Sequence, residues 1–100
     1  MGEAYRLFFK SFSNRTRFEI IQLLRKDPRN VTEICKATGF EQSRISHNLK
    51  CLEDCGFVSP KKDGKKRIYS LDGKYIAPIL DDIDKYIERY GKGLKSCGRL

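Results

Sequence analysis

The sequence contains no hydrophobic run approaching the roughly 18 apolar residues that a membrane-spanning helix requires. It also lacks an apolar N-terminal segment with a small-residue cleavage site, the pattern of a secretory signal. These absences predict a cytoplasmic protein without membrane contact. They also bear on its four cysteines, because disulfide frameworks are typical of exported proteins, whereas cytoplasmic cysteines usually bind metals, undergo redox chemistry or pack in the core.

Residues that carry catalysis are scarce as well. His47 is the only histidine, and the sequence has no glycine-rich phosphate loop. No nucleophile, base and orienting group form a recognisable set, which is what a catalytic site requires. The sequence therefore predicts a protein that is not an enzyme and has no organic cofactor.

Basic residues, in contrast, are abundant. The 100 residues include 21 Lys and Arg against 13 Asp and Glu, which gives a formal net charge of +8. Such an excess is typical of proteins that bind polyanions, although it does not identify the polyanion. A chain of this length forms one domain with a modest core, which a partner subunit would help to stabilise.

Apolar periodicity and capping residues predict four helices in the first half of the chain: over 3–12, from a cap at Ser13 or Asn14 to about Lys26, over 33–38, and over 42–54. We expect Thr32 to cap the third helix and Gly39 to end it. Gly56 follows the fourth helix at the position where a left-handed residue is favoured. Two short helices joined by a tight turn that contains glycine are typical of a helix-turn-helix.

A β-hairpin is predicted after these helices. Asp63 and Gly64 lie between two strand-like segments, which is the strongest short hairpin signal. Its tip carries five basic residues, Lys61, Lys62, Lys65, Lys66 and Arg67. Because crowded like charges repel one another, we expect them to contact phosphates rather than to form a merely solvated loop. The predicted fold is mainly α with a β-hairpin wing, a winged helix-turn-helix.

The fourth helix has two contrasting faces. Ile45, Leu49 and Leu52 follow the helical repeat and predict a core stripe. The remaining surface carries side chains that can hydrogen-bond to base edges or phosphates. We predict that this helix reads DNA through Gln42, Ser43, Arg44, Ser46, His47 and Lys50.

The last predicted helix, over roughly 74–90, has a wide apolar stripe. Its members are Ile76, Ile79, Leu80, Ile83, Tyr86, Ile87 and Tyr90. The first helix offers a second apolar surface, and a small DNA reader gains a symmetric pair of half-sites by dimerising. We therefore predict a homodimer through the first and last helices, with a winged-helix domain over 1–90 and a flexible tail over 91–100.

Three segments together resemble the ArsR/SmtB family of winged-helix repressors. They are Ser13–Leu24, Ser46–Leu52 and Gly56–Val58, and the resemblance extends over nearly the whole chain. It implies a homodimer that occupies an operator in double-stranded DNA when it is free of ligand and leaves the operator when an effector binds.

Cys51 and Cys55 are the candidate effector site. Side chains four apart on a helix have Cβ atoms about 5–6 Å apart, too far for a relaxed disulfide but close enough for one metal ion to bridge. The two cysteines and Cys97 resemble the CmtR type of cadmium and lead sensor in this family, which implies a third thiolate from the C-terminal tail, reported there from the opposite protomer. Three thiolates favour soft ions such as cadmium, lead or arsenic(III).

Other readings of the cysteines and of the scaffold stay open. The third helix lacks the Cys-X-Cys of the arsenite sensors in the family, so we expect Cys35 to pack in the core. Asp81, Asp82, Asp84 and Glu88 supply only hard oxygen ligands and are interpreted as a solvated helix face. The alternatives are a redox-responsive or effector-free regulator, and a winged-helix module that contacts protein or RNA.

Overall fold

A computed structural model describes residues 2–97. Its elements, in chain order, are α1 (Gly2–Ser13), α2 (Arg15–Leu24), α3 (Val31–Thr38), α4 (Gln42–Asp54), β1 (Val58–Asp63), β2 (Lys66–Leu71) and α5 (Ile76–Cys97). This order of four helices, a hairpin and a final helix is the predicted one. The winged helix-turn-helix fold is confirmed.

The core lies where α2, α3 and α4 meet. The predicted stripe on α4 is confirmed, because Ile45, Leu49 and Leu52 are almost completely buried. They pack with branched residues of α2 and α3, with the base of the hairpin and with the start of α5: Ile20, Ile21, Leu24, Ile34, Phe57, Val58, Tyr69, Ile76 and Leu80. Burial of apolar surface, worth about 25 cal/mol per Å², therefore fixes the rear of α4 and leaves its front to solvent.

The helix caps agree with the sequence at α2 and differ at α3. Asn14 caps α2, since its side-chain oxygen accepts a hydrogen bond from the Arg17 backbone N–H at 3.0 Å. The expected Thr32 cap of α3 is wrong. Asn30 caps that helix instead, through reciprocal 2.9 Å bonds with Glu33. The Asn30–Glu33 spacing forms a capping box, which satisfies two backbone N–H groups at once and starts the helix at Val31.

Two glycines end their helices as predicted. Gly39 follows α3 and Gly56 follows α4, each with φ of 78°. This left-handed conformation carries no Cβ penalty for glycine. Residues 39–41 then join α3 to α4 in a short turn.

The hairpin turn lies one residue later than predicted. Asp63 is the last residue of β1 and pairs with Lys66, so the two central residues are Gly64 and Lys65. Gly64 has φ of 64°, the left-handed value that the first central position of a type II′ turn requires. The base of the wing is held by Arg29, whose backbone N–H donates to the Tyr69 carbonyl at 3.1 Å and whose carbonyl accepts from the Tyr69 N–H at 2.8 Å.

The last helix is longer than predicted. We expected it to end near residue 90 and a flexible tail to follow, but α5 continues to Cys97, and residues 98–100 lie outside the described part of the chain. Gly91 and Gly93 do not interrupt it, since a helical glycine costs only about 1 kcal/mol relative to alanine. Leu94 extends the apolar stripe by a further turn beyond Tyr90.

Candidate nucleic-acid interface and thiol pair

The solvent-facing side of α4, its front, carries all six side chains that were predicted to read DNA. Gln42, Ser43, Arg44, Ser46, His47 and Lys50 are all exposed. The intervening Ile45, Asn48 and Leu49 are buried. The helix therefore offers a continuous polar surface on a rigid support, and its contact with DNA bases stays a prediction.

Arg44 is the most constrained side chain of this surface. Its Nε donates a 2.7 Å hydrogen bond to the hydroxyl of Thr16 in α2, and its guanidinium carbon lies 3.9 Å from the centroid of the Phe40 ring. A guanidinium has five N–H donors, so the terminal nitrogens keep most of their capacity for a ligand. The role of Thr16 was missed from the sequence because it lies 28 residues from Arg44.

Asn48 forms a second polar link between α2 and α4. The Arg17 Nε donates to its side-chain oxygen at 3.0 Å, and its side-chain nitrogen donates to the Arg44 carbonyl at 2.9 Å. Asn48 is 7% exposed, and a buried amide without partners would cost about 1–3 kcal/mol. Its only sequence signal was a polar residue next to the core stripe, which did not identify Arg17 as the partner.

The wing residues Lys61, Lys62, Lys65, Lys66 and Arg67 are all exposed. Arg67 contacts α4: its Nη2 is 3.5 Å from a carboxylate oxygen of Glu53. On α4 itself, the Lys50 Nζ is 3.3 Å from a carboxylate oxygen of Asp54. Two of the predicted DNA-contact cations thus have carboxylate partners in the protein without DNA.

The candidate thiol site occupies the C-terminal turn of α4. Cys51 is half-buried and Cys55 is exposed, and neither forms a disulfide. Cys55 directly follows the helix as its C-cap, and its N–H donates to the Cys51 carbonyl at 3.0 Å. Its side chain faces a cavity of about 590 Å³ at the junction of α1 and α2, lined also by Leu7, Lys10, Ser11, Ser13, Asn14 and Arg17.

Within residues 2–97, no group of three His, Cys, Asp or Glu side chains is placed to hold a metal ion. Cys97 is the last residue of α5, and it does not form such a group with Cys51 and Cys55 within one protomer. A pair of thiolates on one helical turn fits a soft ion as a partial site that needs a further ligand. Cys35 packs against the core, as predicted.

Helices α1 and α5 share an unpaired apolar surface. Tyr5, Phe9, Ile79, Tyr86 and Ile87 are exposed, and a cleft between the two helices is lined almost wholly by apolar side chains. This is the surface through which we predicted, from the sequence, that the homodimer forms.

An ion pair fixes α5 relative to α2. Arg25, which caps the C-terminal end of α2, contacts Asp84 and, at 3.1 Å, Asp81. The hydrogen bond from Arg25 holds the pKa of Asp84 below its ordinary value. Asp81 and Asp84 remain exposed, as predicted, but Arg25 was not expected as their partner.

Comparison with known proteins identifies the family. A family model described as "Bacterial regulatory protein, arsR family" matches residues 14–59. The crystal structure of Mycobacterium tuberculosis Rv0081, an HTH-type transcriptional regulator, is 30% identical, covers 91% of this chain and 92% of its own, and superposes with a TM-score of 0.83. The chain belongs to the ArsR family. The predicted class, a DNA-binding transcription regulator rather than an enzyme, is thereby confirmed.

Two further relatives bear on assembly and effector. The homodimeric winged helix-turn-helix DNA-binding domain of Mb0332 from Mycobacterium bovis is 27% identical, covers 82% of this chain and 78% of its own, and has a TM-score of 0.70. A probable mercury resistance operon repressor of Streptomyces lividans is 36% identical over 73 residues, 73% of this chain and 58% of that relative.

In the described part of this ArsR-family chain, no helix combines the length and apolarity needed to cross a membrane.

Proposed function

We propose that this protein is a cytoplasmic homodimeric repressor that binds an operator in double-stranded DNA and is released when a soft metal or metalloid ion binds its thiolates. The observation that carries the proposal is the exposed polar front of α4, from Gln42 to Lys50, on a helix whose rear is fixed in the core. In helix-turn-helix proteins the second helix enters the major groove with its N-terminal residues on the base edges.

The wing supplies the second half of the DNA contact. Its lysines and Arg67 lie on an exposed hairpin that follows α4 directly. Cations in such a position neutralise phosphates and release counterions, which contributes affinity that does not depend on sequence. Base contacts from α4 thus provide the sequence specificity, and phosphate contacts from the wing provide affinity for any DNA sequence.

The unpaired apolar surface of α1 and α5 supports the homodimer. Large exposed apolar patches are uncommon on monomers and usually mark interaction sites. The Mb0332 domain, which shares the fold, is homodimeric. A two-fold dimer places two α4 helices one turn of DNA apart, about 34–36 Å.

Cys51 and Cys55 are the proposed effector ligands, with Cys97 of the partner protomer as the third. The partner is invoked because the thiol pair needs a further ligand that its own protomer does not bring near. Cadmium, lead and arsenic(III) suit such a soft site. The name of the Streptomyces relative adds mercury to the ions to test.

The test combines DNA binding with metal titration. Fluorescence anisotropy should show binding to DNA from the upstream region of the gene, and cadmium or lead should both release this DNA and produce thiolate charge-transfer absorption. Cys97→Ser should bind the DNA normally but lose most of the metal response. If none of the ions releases the DNA, the redox-responsive or effector-free reading replaces the metal proposal. If the protein does not bind the DNA, the favoured hypothesis becomes a winged-helix module that contacts protein or RNA.

A further inference from the structure

Two consecutive acidic residues, Glu53 and Asp54, lie between the thiols in the last turn of α4. Each is paired with a cation that the proposed function assigns to DNA. Asp54 lies 3.3 Å from the Nζ of Lys50, and Glu53 lies 3.5 Å from the Nη2 of Arg67. The first pair is within α4, whereas the second joins α4 to the wing.

We propose that Glu53 and Asp54 are positioning residues that limit the affinity for DNA. The two carboxylates pair with Lys50 and Arg67 in the free protein, so DNA phosphates must compete with them to contact these cations. The inference rests on the proposed function and adds two residues that oppose binding at the same surface. The protein thus contains counter-charges inside its own interface.

The pairs matter more for binding than for folding. Their side chains are 28% exposed at Glu53, 57% at Arg67, 69% at Lys50 and 63% at Asp54, and solvated ion pairs contribute little to stability. DNA, however, brings a dense row of phosphates to within the Debye length of these carboxylates, about 10 Å at 0.1 M salt. Each carboxylate then repels phosphate and cancels one cation, so fewer counterions are released on binding.

The experiment compares neutral variants that keep the side-chain shape, Glu53→Gln and Asp54→Asn. Asp82→Asn is the matched control, because it makes the same charge change on α5, where Asp82 contacts only Lys85 at 3.8 Å among the ion pairs of the described residues. Dissociation constants are measured on the upstream DNA and on a random duplex of the same length, over about 50–200 mM salt. Circular dichroism confirms that each variant is folded.

We expect Glu53→Gln and Asp54→Asn to bind both DNAs about threefold to tenfold more tightly at low salt, since a dimer carries each change twice. The plot of log affinity against log salt should steepen by up to about 0.9 for each phosphate gained. A merely structural role would not change this slope. Glu53→Asp, which keeps the charge, should keep a slope close to that of wild type.

A double-mutant cycle tests whether Glu53 acts through Arg67. In an Arg67→Gln background, Glu53→Gln should change the affinity by less than half as much on the logarithmic scale. If both neutral variants match Asp82→Asn, or bind DNA more weakly, the inference is overturned while the proposed function stands. A wild-type protein that shows no salt-dependent DNA binding overturns both.

Discussion

Thr16 and Asn48 show how single polar residues fix the orientation of α4. They are the polar residues in the buried set of the described chain, at 3% and 7% exposure. Thr16 accepts from Arg44 of the facing helix α4, and Asn48 accepts from Arg17 of the facing helix α2 while it donates to the Arg44 carbonyl of its own helix. Rotation of α4 against α2 would break both links between the helices and leave buried polar groups unpaired, so the front of α4 has one favoured orientation.

Thr16→Val keeps the volume of the side chain and removes the acceptor of Arg44. We expect the free energy of unfolding to fall by about 0.5–1.5 kcal/mol, the value of one hydrogen bond. The affinity for the upstream DNA should fall further than for random DNA, because the Arg44 guanidinium loses its preset direction. Anisotropy on both DNAs measures this, and an equal loss on the two would contradict the role given to Thr16.

The front of α4 and the wing should respond differently to substitution. Ser46→Ala or His47→Ala should reduce the preference for upstream over random DNA, because base contacts carry the specificity. Lys65→Ala or Lys66→Ala should weaken both DNAs about equally, since phosphates are common to all sequences. Equal losses for all four variants would show that α4 does not read bases.

His47→Ala should also leave metal affinity unchanged, because His47 is not a proposed ligand.

At the scale of elements, side-chain contacts hold α5 in position at its start and along its first half. Asp72 caps its start, where the Asp72 carboxylate accepts from the N–H groups of Tyr75 and Ile76 at 2.8 and 2.9 Å. These backbone hydrogen bonds hold the pKa of Asp72 below its ordinary value. Arg25 then contacts the first half of the helix through Asp81 and Asp84.

The Arg25–Asp84 pair predicts a pH dependence of stability. Because the pKa of Asp84 is lowered in the folded state, its contribution is present above the unfolded value of 3.8 and is lost as the pH falls through the folded value. Asp84→Asn should therefore lower the melting temperature at pH 7, and the difference from wild type should vanish in strong acid. Asp82→Asn serves as the control. A constant difference at both pH values would contradict this assignment.

Sequence patterns predicted the elements better than their ends. The stripe of Ile45, Leu49 and Leu52 identified α4 and its buried side because one helical period accounts for all three. The start of α3 was misplaced because Thr32 and Asn30 are both acceptable caps, and only the reciprocal bond with Glu33 favours Asn30. The end of α5 was misplaced because glycine weakens a helix without forbidding it.

The candidate site was predictable only where it depends on a single element. The exposed set on α4 follows from periodicity alone. The pairings of Arg44 with Thr16, of Arg17 with Asn48 and of Arg67 with Glu53 depend on how distant segments pack. Local patterns carry no information about those contacts.

For the whole molecule, the apolar surface of α1 and α5 predicts the oligomeric state. Ile87→Asp places a charge on this surface and should give a folded monomer with weaker DNA binding, because one half-site contact is lost. Phe18→Asp is the control, since Phe18 lies on α2 and is equally exposed, at 47%. Multi-angle light scattering measures the mass. A dimeric Ile87→Asp protein would exclude α5 from the interface.

The pairing of Arg29 with Tyr69 also determines how the sheet ends. It occupies the outer edge of β2, which would otherwise offer unpaired backbone groups to another chain. Across the hairpin, Tyr69 faces Pro60, and proline has no N–H to donate along the outer edge of β1. Lys61 and Lys62 follow it with positive charge. Both borders of the wing thus disfavour strand addition, so copies of the chain can associate through helices with less tendency for the hairpins to seed fibrils.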